Sequence, residues 1–359
     1  MKQGYCHIKY FLYICYHSDG HGKSFSLWPT LIQKIKKMRK STLHISVLLL
    51  ATVLGALMMA LLSGKNLEKA ESEKPLVLSM TASVDIPESM TFAGEQITFD
   101  RYDKRERMDR ELNSFTYFHS TTLLLIKRAN RIFPVIEPIL KQQGLPDDLK
   151  YLAVIESSLD YRAVSPARAA GLWQFMESTG KQYGLEITSE VDERYHIEKS
   201  TVAAGRYLKD AYRKYGSWSG AALSYNGGQN RITSELSKQR VDDALDLWLV
   251  DETSRYYYRM LAIKLIFEHP QQYGFVIRAE QLYKPMEFRE VKVTSSIPDL
   301  VAFAKQNNIT YAQLKDFNSW LRSTRLSNTS GKAYTILIPT RESLYYRKGE
   351  KPKVHNPAW

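Results

Sequence analysis

From Pro146 to about Phe267 almost every segment of the chain repeats apolar residues three and four apart, and the joints between segments are short and rich in Gly, Ser or Asp. That spacing lays apolar side chains along one face of a helix. Such a helix is stable only with that face covered, so the stretch commits to a packed, all-helical body. In one segment the same spacing delivers a carboxylate. LPDDLKYLAVIESSLD opens with Pro146, Asp147 and Asp148, a proline and two acids suited to a helix start. Its apolar stripe runs Leu149, Leu152, Ala153, and the next position on that face, seven after Leu149, is Glu156. An ionised carboxylate among apolar groups costs several kcal/mol unless it is paired, and protonation is the usual relief. A carboxyl group that holds its proton near neutral pH is what a general acid requires. Periodicity alone leaves a second reading open, a structural glutamate paired with an arginine such as Arg168 or Arg206.

Two later segments bear on that choice. In AAGLWQFMESTGKQYGL, residues 169–185, Ala169, Ala170 and Gly171 permit close backbone approach and Gln174 supplies an amide with both donor and acceptor. In ALSYNGGQNRI, residues 222–232, Tyr225 and Asn226 precede Gly227 and Gly228. Aromatic faces beside amides suit a sugar that carries N-acetyl groups. The same residues also read as ordinary structure, with Trp173 and Tyr225 as core aromatics and the glycines as a helix end.

In this order, Glu156–Ser157, the GLWQ of Gly171–Gln174 and the YNGG of Tyr225–Gly228 resemble the three signatures of the soluble-type lytic murein transglycosylases, a lysozyme-like helical family. The resemblance covers roughly residues 100–267 and includes VDER at Val191–Arg194 and ETSRYYYRMLA at Glu252–Ala262. It implies that Glu156 is the catalytic acid. It also implies that Gln174 and Asn226 are amides touching substrate, that Ser157 and Tyr225 belong to the binding site, and that Tyr256 lines the cleft. Ser224 stands where the family has Ala, a hydroxyl for a methyl. The implied reaction cuts the bond between N-acetylmuramic acid and N-acetylglucosamine in peptidoglycan strands without water, leaving a 1,6-anhydro ring. A hydrolase would need a second carboxylate, about 5–5.5 Å away as nucleophile or about 6.5–9.5 Å away as base. Asp160, Glu177 and Asp192 are available and read as surface or capping residues. A water-using muramidase of the same fold and a non-catalytic murein-binding scaffold are the alternative functions.

Residues 288–340 resemble a divergent LysM module, a βααβ unit. FREVKV forms the first strand, a helix runs around Ile297–Asn307, a second lies in ITYAQLKDFNS ending at Asn318, and YTILIP closes the sheet. Such modules bind N-acetylglucosamine polymers, but Ser295–Ser296–Ile297–Pro298 replaces the usual GDTL-like start. Residues 341–359, rich in Lys and Arg, read as a solvated tail.

The front of the chain is of another kind. Leu43–Leu62 carries no formal charge, and about 20 such residues suffice to cross a bilayer as a helix. The basic cluster Lys34–Lys40 precedes it, which orients the remainder away from the cytoplasm. MRKST and the run after it form a complete leader-like unit, so translation is expected to start at Met38, with residues 1–37 an upstream extension. The expected order is then an uncleaved anchor at 38–63, a linker at 64–95, a helical lead-in at 96–145, the catalytic domain at 146–275, the LysM-like module at 288–340 and the tail. Of a net charge of +12, seven arise in residues 1–40, where eight basic side chains face Asp19 alone. The rest of the chain is close to neutral for its size, and nucleic acid is not an expected partner. Cys6 and Cys15 are the only cysteines, so there is neither a disulfide framework nor a lipid-attachment cysteine after the apolar run. No metal-ligand spacing or phosphate loop occurs, and neither metal nor cofactor is expected. The expected partners are peptidoglycan strands and, through the N-terminal helix, the membrane; oligomeric state is open.

Overall fold

The computed structural model describes residues 82–359 and positions 53, 54 and 58. The expected extension, anchor and most of the linker lie outside the described residues. Among the described residues no helix is long and apolar enough to cross a membrane.

The described segment 82–359 opens with a hairpin that the sequence pattern does not announce. β1 (Ser89–Phe92) pairs antiparallel with β2 (Glu95–Thr98), so the expected linker ends in a strand and the lead-in begins in one. Both turn residues, Ala93 and Gly94, have positive φ (52° and 84°), the conformation of the tight turn whose twist matches a two-stranded ribbon. The turn aims Met90, Phe92 and Ile97 at the core, where Phe92 meets the edge of Tyr257 at 5.5 Å. The Glu95 carboxylate accepts from the backbone N–H of Trp218 at 2.6 Å, at the start of a helix more than 120 residues later.

α1 (Tyr102–Tyr117) buries Met108, Leu112 and Phe115, and α2 (His119–Gln142) buries Leu125, Ile126, Phe133, Ile136 and Leu140. Pro134 and Pro138 in the sequence predict a bend or an interruption of this second helix, but the helix runs on through both. An interior proline costs roughly 3 kcal/mol, whereas each fully buried Ile, Leu or Phe contributes about 1.5–3 kcal/mol. Five such side chains outweigh two prolines. A short turn at Asp147–Leu149 then leads into α3 (Lys150–Ser157), whose residues Tyr151 to Ile155 are all buried. This is a helix surrounded by others. It packs against α2 and against α8 (Asp251–Glu268), and the domain is completed by α4 (Glu177–Gln182), α5 (Ile197–Tyr215), α6 (Trp218–Gly227) and α7 (Gln229–Gln239).

The βααβ expectation holds. β3 (Phe288–Val293) and β4 (Tyr334–Pro339) pair antiparallel from Phe288↔Pro339 to Val293↔Tyr334, and between them lie α9 (Leu300–Gln306) and α10 (Tyr311–Phe317). Asp299 caps α9, and Thr310 with Gln313 forms a capping box on α10. Asn318 ends the second helix in the expected place. Fully buried, it donates to the carbonyls of Leu314 and Leu337 and accepts from Leu337 N–H, tying that helix to β4.

The module is docked on the helical domain. Its core includes Ala170, Val191 and Tyr195 of that domain. Val191 bridges to Leu321, Asp192 N–H donates to Trp320 O at 2.8 Å, and Arg322 N–H donates to Glu190 O at 2.7 Å. After the short α11 (Arg341–Leu344), the segment expected as a solvated tail folds back instead. Buried Asn130 of α2 donates to Lys353 O and accepts from His355 N–H, and the Trp359 indole donates to Phe267 O at 2.8 Å. Lys284, also buried, bonds Glu350 and the Glu342 carbonyl. The reason for the difference is chemical: the segment's aromatics and amides find partners on α2 and α8, while its lysines and arginines remain at the surface.

Candidate active site

α3 ends one residue past Glu156. Ser158 and Leu159 both take left-handed φ (55° and 57°), so the helix stops abruptly and the chain turns away. Glu156 is left at the helix end facing α8, where Tyr256 donates its hydroxyl to Glu156 Oε1 at 2.5 Å. Burial pushes the Glu156 carboxyl up to about 7, against the opposing pull of the Tyr256 hydrogen bond and of the positive charge on Arg259. The partner that settles the sequence alternative is therefore a neutral phenol. Among the described residues neither Arg168 nor Arg206 pairs with Glu156, and the Arg206 guanidinium donates to the Tyr183 carbonyl. Tyr256 itself is 2% exposed, and burial and then the Glu156 charge hold its phenol well above the usual tyrosine range.

Of the other expected site residues, Tyr225 is close enough to feel the Glu156 charge, and Asn226 is tied to the helix that carries Tyr256. Tyr225 on α6 donates to Trp173 O at 2.7 Å, with its ring between Phe175 and Tyr207. Burial, and next the Glu156 charge, raises its phenol well above the ordinary value. Asn226 accepts from the Thr253 hydroxyl at 2.8 Å through Oδ1, joining α6 to α8. Gln174 sits at φ 49° and donates Nε2 to Gly171 O and Ala163 O. Among the described residues Gln174 Oε1 and Asn226 Nδ2 have no hydrogen-bond partner, so one acceptor and one donor remain for a ligand.

Ser157 is different. It is buried, and its hydroxyl goes to Leu172 O at 2.8 Å and Ala153 O at 3.2 Å, which fastens the end of α3 to the GLWQ loop. Trp173 is likewise a core residue, fully buried and bonded to the Thr201 hydroxyl. Ser224 is fully buried with its hydroxyl on Ala221 O, so the departure from Ala is accommodated inside the helix. Gly228, at φ 83°, ends α6 as a cap.

Sequence reasoning saw Gly171 as a point of close approach but not what approaches. A Cβ there would lie 1.8 Å from the Arg194 carbonyl oxygen. Arg194, held by Asp192 at 2.7 Å, donates to Arg168 O and Phe175 O on either side of the loop. The VDER segment is thus the brace of the GLWQ loop, and Asp192 is spent on capping and on this pair. A second missed feature is the wall beside Glu156. An open groove of about 440 Å³ runs there between α1, α2, α3 and α8, lined by Phe115, Phe118, Ile155, Glu252, Arg255 and Arg259 among others. Buried Glu111 takes two hydrogen bonds from Arg255, at 2.5 and 3.2 Å, and so fixes α1 to α8 along the groove.

The site is a protonatable carboxyl at a helix end of a helical body on which a βααβ unit is docked. Residues 133–246 match the transglycosylase SLT domain family, and residues 289–342 match the soluble lytic transglycosylase C-terminal LysM-like domain family. The particular proteins it resembles include membrane-bound lytic murein transglycosylase D of Escherichia coli K12, and the protein of that name from E. coli O6:H1. Each is 29% identical over 244 residues, 67% of this chain and 52% of the relative. An Alteromonas protein named for tributyltin chloride resistance is 27% identical over 122 residues, 34% of this chain and 59% of the relative. The chain spans about half the length of the E. coli relatives it matches.

Proposed function

We propose that this chain is a lytic transglycosylase of the cell envelope that cuts the bond between N-acetylmuramic acid and N-acetylglucosamine in peptidoglycan. The observation that carries the reading is the Glu156 carboxyl, half-buried at the end of α3, bonded to a neutral phenol and pushed by desolvation up to about 7. Protonated Glu156 gives its proton to the glycosidic oxygen as the bond to the muramyl C1 breaks. The substrate's acetamide steadies the positive charge at that carbon. Glu156, now a carboxylate, takes the proton of the muramyl C6 hydroxyl, whose oxygen closes on C1. The proton count balances and no water is consumed. One residue serves first as acid and then as base, a cycle for which a pKa near the working pH is the best compromise.

Gln174 Oε1 and Asn226 Nδ2 position the sugar's amide and hydroxyl groups; Tyr225 and Ser157 hold the loop and helix that carry them. The LysM-like module binds the glycan strand, the apolar run 43–62 holds the enzyme at the membrane, and the activity serves turnover and remodelling of the wall. Digestion of purified murein with the full chain, followed by mass identification of the sugar ends, is the test. Anhydromuramyl ends are expected. Reducing muramyl ends would instead make it a hydrolase, and intact murein would leave a binding scaffold.

A further inference from the structure

Two arginines line the groove beside Glu156, Arg255 and Arg259. Arg255 is already committed to Glu111 at 2.5 Å, and Arg110, outside the lining, pairs with Asp251 at 3.0 Å. Arg259, half-buried and one helical turn beyond Arg255 on α8, makes no ion pair and no side-chain hydrogen bond among the described residues. Its guanidinium lies 5.9 Å from the Phe115 ring centroid, on one side only. Five N–H donors are open towards the groove. The carboxylate of Glu252, two helical turns away on the same face, lines the groove without closing on it.

A planar fork of unpaired donors is matched best by a carboxylate, which it can grip with two parallel hydrogen bonds. In murein the acids hang from the muramyl sugar, as the lactyl group on O3 or as the carboxylates of the peptide stem attached to it. The N-acetylglucosamine units carry none. We propose that Arg259 binds a carboxylate of the muramyl residue and so selects that sugar at the cleaved bond, an inference that rests on the murein reading above.

The electrostatics of the site agree. The groups facing Glu156 are Tyr256, Arg259 and Glu252 from α8 and Tyr225 from α6, and of these Arg259 alone brings a positive charge that works against proton retention. A carboxylate seated on Arg259 cancels that charge. The acid is then fully armed only when the muramyl side arm is in place.

The test compares kcat/KM of the full chain and of Arg259→Gln and Arg259→Lys on three strand preparations: peptide-free with lactyl carboxylates, peptide-free with those groups converted to methyl amides, and stem-bearing. The native chain should prefer carboxylate to methyl amide by about ten- to a hundredfold, the range of a charged hydrogen bond. Arg259→Gln should abolish the preference, chiefly through KM, and Arg259→Lys should keep part of it. A loss on peptide-free strands assigns the lactyl group, and a loss confined to stem-bearing strands assigns a stem carboxylate. Equal losses on carboxylate and methyl amide would overturn the proposal, since Arg259 would then act only on Glu156 or on the fold. Calorimetric binding of the same strands to Glu156→Gln requires no cleavage. Discrimination there with no product from the native chain would refute the lyase reading alone, and its absence would refute the arginine.

Discussion

Replacing Tyr256 by Phe removes one oxygen from a site where its only recorded partner is Glu156 Oε1 at 2.5 Å. The ring stays the same size in a nearly closed position, so the fold should survive. What changes is the balance at Glu156. The phenol donates to the carboxylate and so opposes the upward push of burial, which leaves the acid at about 7. A hydrogen bond to a charged group contributes about 1.5–3 kcal/mol, and about 1.36 kcal/mol corresponds to one pH unit. Losing it should therefore raise the Glu156 pKa by about one to two. Catalysis begins with the protonated form, so the rate falls as pH rises through that value. In Tyr256→Phe the falling limb of kcat/KM against pH should move to higher pH by the same one to two units. The maximum rate should also drop, because the carboxyl is no longer held in one orientation. The assay is initial rate of murein solubilisation from pH 4 to 10, with folding checked by circular dichroism at each end. A limb that stays put, or moves to lower pH, would refute the assignment of Tyr256 as the group that restrains this acid.

Glu156→Gln should abolish lysis, by at least about a hundredfold for loss of a general acid. It should also stabilise the protein above neutrality. Folding raises this pKa from 4.5 to about 7, so ionisation penalises the folded state progressively between those values. The penalty reaches on the order of 3 kcal/mol above pH 7 and vanishes below about pH 4, which melting curves at pH 4 and 8 will reveal. Gly171→Ala drives a methyl into the Arg194 carbonyl and a side chain into φ 81°, and should cost at least about 2 kcal/mol in chemical denaturation, with activity lost through displacement of Gln174. Trp359→Ala strips an aromatic ring from Phe133 and Phe267 and an N–H from the Phe267 carbonyl, and should lower stability by about 1–3 kcal/mol while leaving kcat at 20 °C close to native.

Glu156 was legible because a single acid interrupts an apolar stripe, and periodicity specifies direction as well as helix type. Gln174, Tyr225, Asn226 and Tyr256 were singled out through their motifs; Tyr256 bonds Glu156, Tyr225 feels its charge, and Asn226 is bonded to Thr253 on the helix that carries Tyr256. Ser157 shows the limit of a motif. Its neighbour in sequence is the acid, yet its hydroxyl serves Leu172. Trp173 offered an aromatic face in the sequence and proves to be core. Arg259 could not be singled out at all. Its importance arises from which neighbours are already paired, and Arg255 finds its carboxylate 144 residues away on α1. The proline-bearing helix and the returning C-terminal segment failed for the same reason in reverse. Local preferences at Pro134, Pro138 and residues 341–359 were outweighed by tertiary contacts that no window of sequence contains.

The attachment of residues 353–359 to α2 bears on the order in which the molecule can be finished. Asn130 accepts its hydrogen bond from a residue 225 positions further on. A polypeptide emerging from the N-terminal side therefore presents α2 with a polar asparagine and the face of Phe133 uncovered, through synthesis of every other helix. The helical body can gather early, but its last seam is sewn only after the LysM-like module has been made.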